Sequence, residues 1–132
     1  ADGTDRKVVI NNFGTMSLGV ITANNDLVQL TTIGGGSLLD ANGAGMNITA
    51  NVAILDAAAG IASGADPLDL ALGEGGVFAT ARNGGAALSN AGTFNINRVT
   101  ATGQVDLLNA AGKMNVNVLP SPSALRTVTL PP

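Results

Sequence analysis

The stretch Gln104-Val-Asp-Leu-Leu-Asn-Ala-Ala-Gly-Lys113 has three earlier echoes in the chain. They are Asp26-Leu-Val-Gln-Leu-Thr-Thr-Ile-Gly-Gly35, Asn51-Val-Ala-Ile-Leu-Asp-Ala-Ala-Ala-Gly60 and Gly76-Val-Phe-Ala-Thr-Ala-Arg-Asn-Gly-Gly85. The copies start at positions 26, 51, 76 and 104, and each has a strand-like apolar core that runs into small residues. A period in the twenties is typical of a solenoid, in which each copy forms one coil and stacked coils bury a shared apolar face.

A second motif repeats together with the first. Thr15-Met-Ser-Leu-Gly-Val-Ile-Thr-Ala23 matches Thr93-Phe-Asn-Ile-Asn-Arg-Val-Thr-Ala101, and Met46-Asn-Ile-Thr-Ala50 is a shortened version. Apolar residues alternate with small or polar ones in the first of these, as a half-buried strand requires. Two linked motifs that recur together arise by chance much less readily than one, so the pair supports a repeat architecture.

The apolar composition also favours a narrow core. Hydrophobic residues make up 45% of the 132 residues, but aromatic residues only 2%. A compact globule usually draws on aromatic bulk to fill its centre, whereas layers of Val, Ile, Leu and Ala fill a stacked coil. Phe78 and Phe94 are isolated aromatics on apolar strands, so both are predicted to point into the core. Glycine every few residues and a background rich in β-branched residues disfavour helices.

Charge and cysteine content exclude several functional classes. Charged residues make up 11% of the chain, where globular proteins average about 25%. The net charge is −3 and the basic residues are scattered, which disfavours nucleic-acid binding. The chain has no cysteine and no histidine, which removes disulfides, thiolate nucleophiles and the common zinc sites. No apolar run approaches the roughly 18 residues of a membrane-spanning helix.

The chain divides into three parts. Residues 1–6 are polar and predicted to be a terminus or linker, residues 7–118 carry the repeats, and residues 119–132 form a Pro-rich spacer with one more strand. That strand is the candidate self-assembly segment, formed by Leu125, Arg126, Thr127, Val128, Thr129 and Leu130. It either closes the open end of the solenoid or pairs with a neighbouring subunit by strand addition.

The repeats resemble the shaft repeats of filamentous-haemagglutinin-type adhesins. The resemblance rests on Gly-Ala-Gly-Met-Asn-Ile-Thr-Ala50, Ile-Leu-Asp-Ala-Ala-Ala-Gly-Ile-Ala62 and Val-Thr-Ala-Thr-Gly-Gln-Val-Asp-Leu-Leu-Asn-Ala-Ala-Gly112, and it covers residues 7–118. It implies a right-handed parallel β-helix, an extracellular location on a bacterial surface and a role as a stiff, adhesive stalk. The Asn-Pro-Asn-Gly type of motif of that family's secretion domain does not occur in this sequence.

The residues offer little catalytic or metal chemistry. Asp66, Asp69 and Glu74 share one acidic loop. Their spacing matches neither an EF-hand nor a Gly-Gly-x-Gly-x-Asp calcium repeat, so we predict no metal site and no cofactor. A carboxylate pair of the polysaccharide-cleaving kind would have to come from Asp40, Asp56 and Asp106. The repeat alignment places Asp56 and Asp106 at different coil positions, so no catalytic residue is predicted.

Asparagines near coil boundaries allow two interpretations. Their amides either stack into ladders along the axis or simply suit tight turns, and the second is the simpler. The residues concerned are Asn24, Asn25, Asn51, Asn83 and Asn109.

Together, the repeat and the resemblance predict an all-β, right-handed parallel β-helix of about four to five coils. An antiparallel β-sandwich of the pilus-subunit type is the alternative fold. The predicted function is structural and non-catalytic: an extracellular bacterial fibre or adhesin shaft that associates end to end with copies of itself and contacts a host or neighbouring-cell surface. A carbohydrate-binding or polysaccharide-degrading β-helix module is the alternative function.

Overall fold

The computed structural model describes residues 7–109, 112–116 and the strand 125–129. Within these ranges it contains eleven strands and no helix, and therefore no helix that could cross a membrane. The strands are β1 (Lys7–Phe13), β2 (Met16–Leu18), β3 (Ile21–Ile33), β4 (Leu38–Asp40), β5 (Ile48–Ala57), β6 (Leu68–Ala81), β7 (Ala86–Asn90), β8 (Phe94–Ala101), β9 (Val105–Asn109), β10 (Met114–Val116) and β11 (Leu125–Thr129).

All pairs between these strands are parallel, and each strand pairs with the strand one coil away. The first stack contains β1 and the later halves of β3, β5, β6 and β8. The second stack contains β2, β4, the single residue Ile61, β7, β9 and β11. The protein is therefore a parallel β-solenoid of about five turns, as predicted, and the antiparallel sandwich is excluded.

The coils are less regular in length than the sequence repeat suggests. Lys7, Leu27, Val52 and Gly76 are equivalent positions in the first stack, so the first coil is shorter than the two that follow it. The next step, from Phe78 to Arg98, is again short. A coil can vary in length because only the paired strands must match, while the connections between them carry the insertions.

Inward-facing side chains stack in columns that form the core. One column contains Ile10, Leu30, Leu55, Ala79 and Val99. From the second member onward each is at most 1% exposed. Aliphatic residues fill this column without aromatic bulk, and neighbouring coils along it lie about 4.8 Å apart.

The two phenylalanines have different environments. Phe94 is fully buried and pairs with Met114 of the next coil, so the prediction of a core position is confirmed. For Phe78 that prediction is wrong, because it is only partly buried and lies in an outward column between Ile54 and Arg98. Strand alternation decides the difference, since Val77 and Ala79 on either side of Phe78 take the inward positions.

The repeat alignment is right for the copies at Asp26 and Asn51, one residue out of register for the copy at Gly76, because Val52 pairs with Gly76, and wrong for the last copy. Ile-Thr-Ala of residues 21–23 lies residue for residue beside Ile-Thr-Ala of residues 48–50, as the shared motif indicates. The copy beginning at Gln104, however, does not stack on the copy beginning at Gly76, because residues 96–101 occupy that place and β9 belongs to the second stack. A strand that ends in small residues recurs in both stacks, so the motif alone does not identify its stack.

Bulges interrupt one corner of the coils. Residues 24–26 separate Ala23 from Leu27 in the first coil, whereas Asn51 alone separates the paired Ala50 and Val52 in the second. The third coil again has an insertion, residues 73–75, before Gly76. Gly76 has φ +71°, and a Cβ there would lie 2.2 Å from the Asn95 carbonyl oxygen, so only glycine fits this position.

Buried asparagines stabilise the turns between stacks. Asn47, Asn90 and Asn109 are all fully buried. Asn90 accepts a hydrogen bond from the Leu72 backbone nitrogen at 3.0 Å and donates to the Thr93 carbonyl at 3.0 Å. Asn109 is in register with Asn90 in the next coil. These amides satisfy backbone groups that the turns leave unpaired, which is the usual role of buried polar side chains. Of the asparagines singled out in the sequence, Asn109 belongs to this set.

The alternation of inward and outward residues predicts a contrast between two adjacent aliphatic positions. Leu55→Ala removes a side chain that is 1% exposed and should lower the unfolding free energy by about 2–5 kcal/mol. Ile54→Ala changes the outward neighbour and should cost well under half as much. Thermal unfolding followed by circular dichroism measures both, and equal losses would contradict the assigned strand orientation.

Candidate functional site

The two ends of the solenoid present strand edges. At the first coil, β1 pairs with β3 and β2 with β4. At the last, β10 pairs with β8 and β11 with β9. Within the ranges that the structure describes, no strand covers the outer edge of any of these four. Such edges carry backbone groups that can pair with another chain.

The first-coil end is also apolar. The large hydrophobic side chains that are more than a third exposed all lie between residues 9 and 39, and none lies in the described stretch from residue 40 to 109 or from 112 to 116. The first coil carries Val9 (45%), Ile10 (37%), Phe13 (80%) and Val20 (71%), whereas Ile33 (50%) and Leu39 (40%) face outward from the second coil. Exposed apolar surface concentrated in one region is typical of an interaction site.

Ile10 shows why this end differs from the middle of the molecule. It belongs to the inward column of Leu30 and Leu55, whose members are shielded by a coil on each side. Among the residues that the structure describes, Ile10 has a coil on one side only, and it is 37% exposed. The first-coil end therefore exposes a residue of the core itself, besides the outward-facing Val9 and Phe13.

The predicted assembly strand lies at the opposite end. Residues 125–129 form β11, with Leu125 opposite Val105 and Thr129 opposite Asn109. β11 thus adds a further level to the second stack, in the same direction as the strands before it. Leu130 and the predicted spacer, residues 119–124, lie outside the described residues.

The acidic residues singled out in the sequence are only partly brought together. Asp66 and Asp69 lie near Asp40, which the sequence places in a different coil, whereas Glu74 lines a separate groove. Asp40 was missed as a member of this cluster because its proximity depends on how one coil stacks on the next. The part of the chain that the structure describes contains no group of three or more acidic, histidine or cysteine residues that could hold a metal ion.

Asp40 is the anchor of this cluster. Its Oδ1 accepts hydrogen bonds from the Asn42 backbone nitrogen at 2.8 Å and from Asn47 Nδ2 at 2.9 Å. Burial alone would raise the pKa of Asp40, but hydrogen bonds from Asn47, Asn42 and Asp66 outweigh it and lower that pKa. Burial and then the charge of Asp40 raise the pKa of Asp66 and of Asp69. At neutral pH the charged carboxylates of this cluster repel one another.

The remaining carboxylates considered for catalysis have other partners. Asp56 forms a two-pronged ion pair with Arg82, at 2.9 and 2.7 Å. Asp106 accepts a hydrogen bond from Gln104 at 2.7 Å. Asp56 belongs to the first stack and Asp106 to the second.

The raised pKa of Asp66 predicts that replacing this carboxyl group by a neutral one stabilises the folded protein in a pH-dependent way. A carboxyl group whose pKa is higher in the folded than in the unfolded protein stabilises the fold at pH values below its unfolded pKa of about 3.9. This stabilisation is lost as the pH rises through the folded-state pKa. Asp66→Asn removes the repulsion at neutral pH and should raise the melting temperature at pH 7. The gain relative to the wild type should shrink towards pH 3.

Glu74→Gln is the matched control, since it removes one carboxylate outside the cluster. Thermal unfolding at pH 7 and pH 3 measures all three proteins. A lower melting temperature for Asp66→Asn at pH 7 would show that the Asp40–Asp66 contact is stabilising there.

Comparison of the chain with known protein families, with curated proteins and with solved structures gave no match.

Proposed function

We propose that this chain is a structural, non-catalytic element of an extracellular bacterial fibre or adhesin shaft, and that copies associate end to end into a filament. The observation that carries the proposal is the apolar first-coil end, where Ile10 of the core is 37% exposed beside Val9 and Phe13. The resemblance of residues 7–118 to adhesin shaft repeats supports the extracellular bacterial location.

The opposite ends are suited to each other because the stacking is parallel throughout. The second stack carries a column of equivalent positions that begins at Met16 of β2 and ends at Leu125 of β11. A second copy with its β2 beside β11 would continue this column in the same direction. The contact joins two different surfaces, so it does not close on itself and leads to a filament.

End-to-end association would also remove the exposed apolar surface. A coil placed against β1 would cover Ile10 as the first coil covers Leu30 in the core column. Burial of apolar surface contributes roughly 25 cal/mol for each Å² removed from water. The backbone edges of β1 and β2 would gain parallel strand partners at the same time.

Substitution at the first-coil end tests the filament directly. Ile10→Lys places a charge at the open end of the core column and should abolish filaments in cryo electron microscopy of the purified chain. Leu39→Lys is the matched control, since Leu39 is similarly exposed at 40% but faces outward from the second stack. Filaments of the control should keep an axial subunit repeat of about 29 Å, because the second stack has six levels from β2 to β11, each about 4.8 Å apart.

Circular dichroism of both variants establishes that the β-solenoid is intact. Dispersed short rods from the unsubstituted chain at every concentration would overturn the filament. Filaments of Ile10→Lys with the same repeat would overturn the role of the first-coil end.

The last strand has its own test. Deletion of residues 119–132 removes β11 and should abolish assembly while the β signal in circular dichroism remains, because the other described strands keep their partners. Filaments that form unchanged after the deletion would show that β11 is not the assembly strand.

A further inference from the structure

A groove on the side of the solenoid lies where the third, fourth and fifth coils meet. It has a volume of about 600 Å³, within the range of about 300–1,000 Å³ that is usual for ligand sites. Its lining includes Leu72, Glu74, Thr93, Asn95, Asn97 and Asn115. None of these residues lies at the first-coil end, so the groove is separate from the apolar surface that carries the filament proposal.

The groove results from unequal coil lengths. The third coil inserts residues 73–75 at a corner where the second coil has Asn51 alone, and the following coil, from Phe78 to Arg98, is shorter. The longer coil overhangs the shorter one. The overhang is fixed by backbone pairing on both sides and by Asn51, whose Oδ1 accepts a hydrogen bond from the Gly75 nitrogen at 3.1 Å.

Amide side chains in the groove are held in place by contacts between coils. Asn95 and Asn115 are in register, and Asn115 Nδ2 donates to Asn95 Oδ1 at 2.8 Å. Asn97 Nδ2 donates to the Gly75 carbonyl at 2.7 Å. A carboxamide has two donors and two acceptor sites, so the contact between Asn95 and Asn115 leaves hydrogen-bonding capacity on both. Groups that are already oriented lose little entropy on binding.

We propose that this groove binds a linear, neutral glycan. Sugar hydroxyls both donate and accept hydrogen bonds, which matches the amides of Asn95 and Asn115 and the exposed hydroxyl-bearing Thr93. The partly exposed Leu72 offers an apolar contact for the C–H face of a sugar ring. Glu74 is the one charged residue among the described residues of this lining, and its carboxylate disfavours uronates, phosphates and other anionic polymers.

A second groove makes an extended ligand fit better than a single sugar. It has a volume of about 690 Å³, shares Leu72 and Gly73 with the first, and continues past Thr49 to Asn24 and Asn25 of the first coil. The two grooves together run along the coils, and amide or hydroxyl groups recur along them. Among the residues that the structure describes, no aromatic side chain lines either groove, so the expected affinity is weak, with Kd about 1 mM.

Saturation-transfer difference NMR of the full chain tests the proposal, because it observes the glycan and is suited to a monomer or a filament alike. The probes are hexasaccharides of glucose, mannose and N-acetylglucosamine, with a galacturonate hexamer as the acidic counterpart. At least one neutral hexamer should show saturation transfer, and the acidic one should show none. Failure of filament assembly would leave this result unchanged.

Three variants locate the binding. Asn115→Ala removes an exposed amide of the groove and should weaken neutral-glycan binding about tenfold. A loss of this size is expected because the glycan loses one net hydrogen bond and Asn95 loses the contact that orients it. Asn83→Ala is the matched control, since Asn83 is an exposed asparagine outside both grooves, and it should leave affinity unchanged. Glu74→Gln should reduce the discrimination against the acidic hexamer.

Absence of transfer to all three neutral hexamers at about 10-fold the expected Kd would overturn the proposal. So would equal affinities of the acidic and neutral hexamers, or an equal effect of Asn115→Ala and Asn83→Ala. Circular dichroism of each variant establishes that a loss of binding does not reflect unfolding.

Discussion

Parallel backbone pairing between adjacent coils is the constraint on which the rest of this structure depends. Because each strand pairs in register with the strand one coil away, equivalent side chains come to lie directly above one another. An inward residue in one coil therefore requires an inward apolar residue in the next, as in the column from Leu30 to Val99. A shift of one residue would turn every inward side chain outward. The register thus determines the core, the outward surface and the character of the ends.

Much of this architecture could be predicted from local features of the sequence. Alternation of apolar and polar residues identifies the strands, and their recurrence at nearly regular intervals indicates coils. The match of Ile-Thr-Ala at residues 21–23 and 48–50 even identifies the correct partner. These predictions succeed because a solenoid is built from short-range information, one coil and its neighbour.

The features that the sequence did not reveal depend on distances between coils. Isolated aromatic residues usually lie in the core, but strand alternation places Phe78 outward, next to Arg98. The proximity of Asp40 to Asp66 can be predicted only when the length of the coil between them is known. The side groove arises from residues 73–75, whose insertion is visible only against the pairing of the flanking strands. For the same reason, the repeat alone does not reveal that the copy at Gln104 belongs to the second stack.

The short separation between paired strands has a consequence for how the chain acquires its structure. From Ala86 to Val105 and on to Leu125, each strand finds its partner only one coil further along the chain. A repeat protein of this kind can nucleate anywhere and propagate to its neighbours. The chain can thus fold coil by coil, because each new coil needs only the neighbouring coil that has already formed.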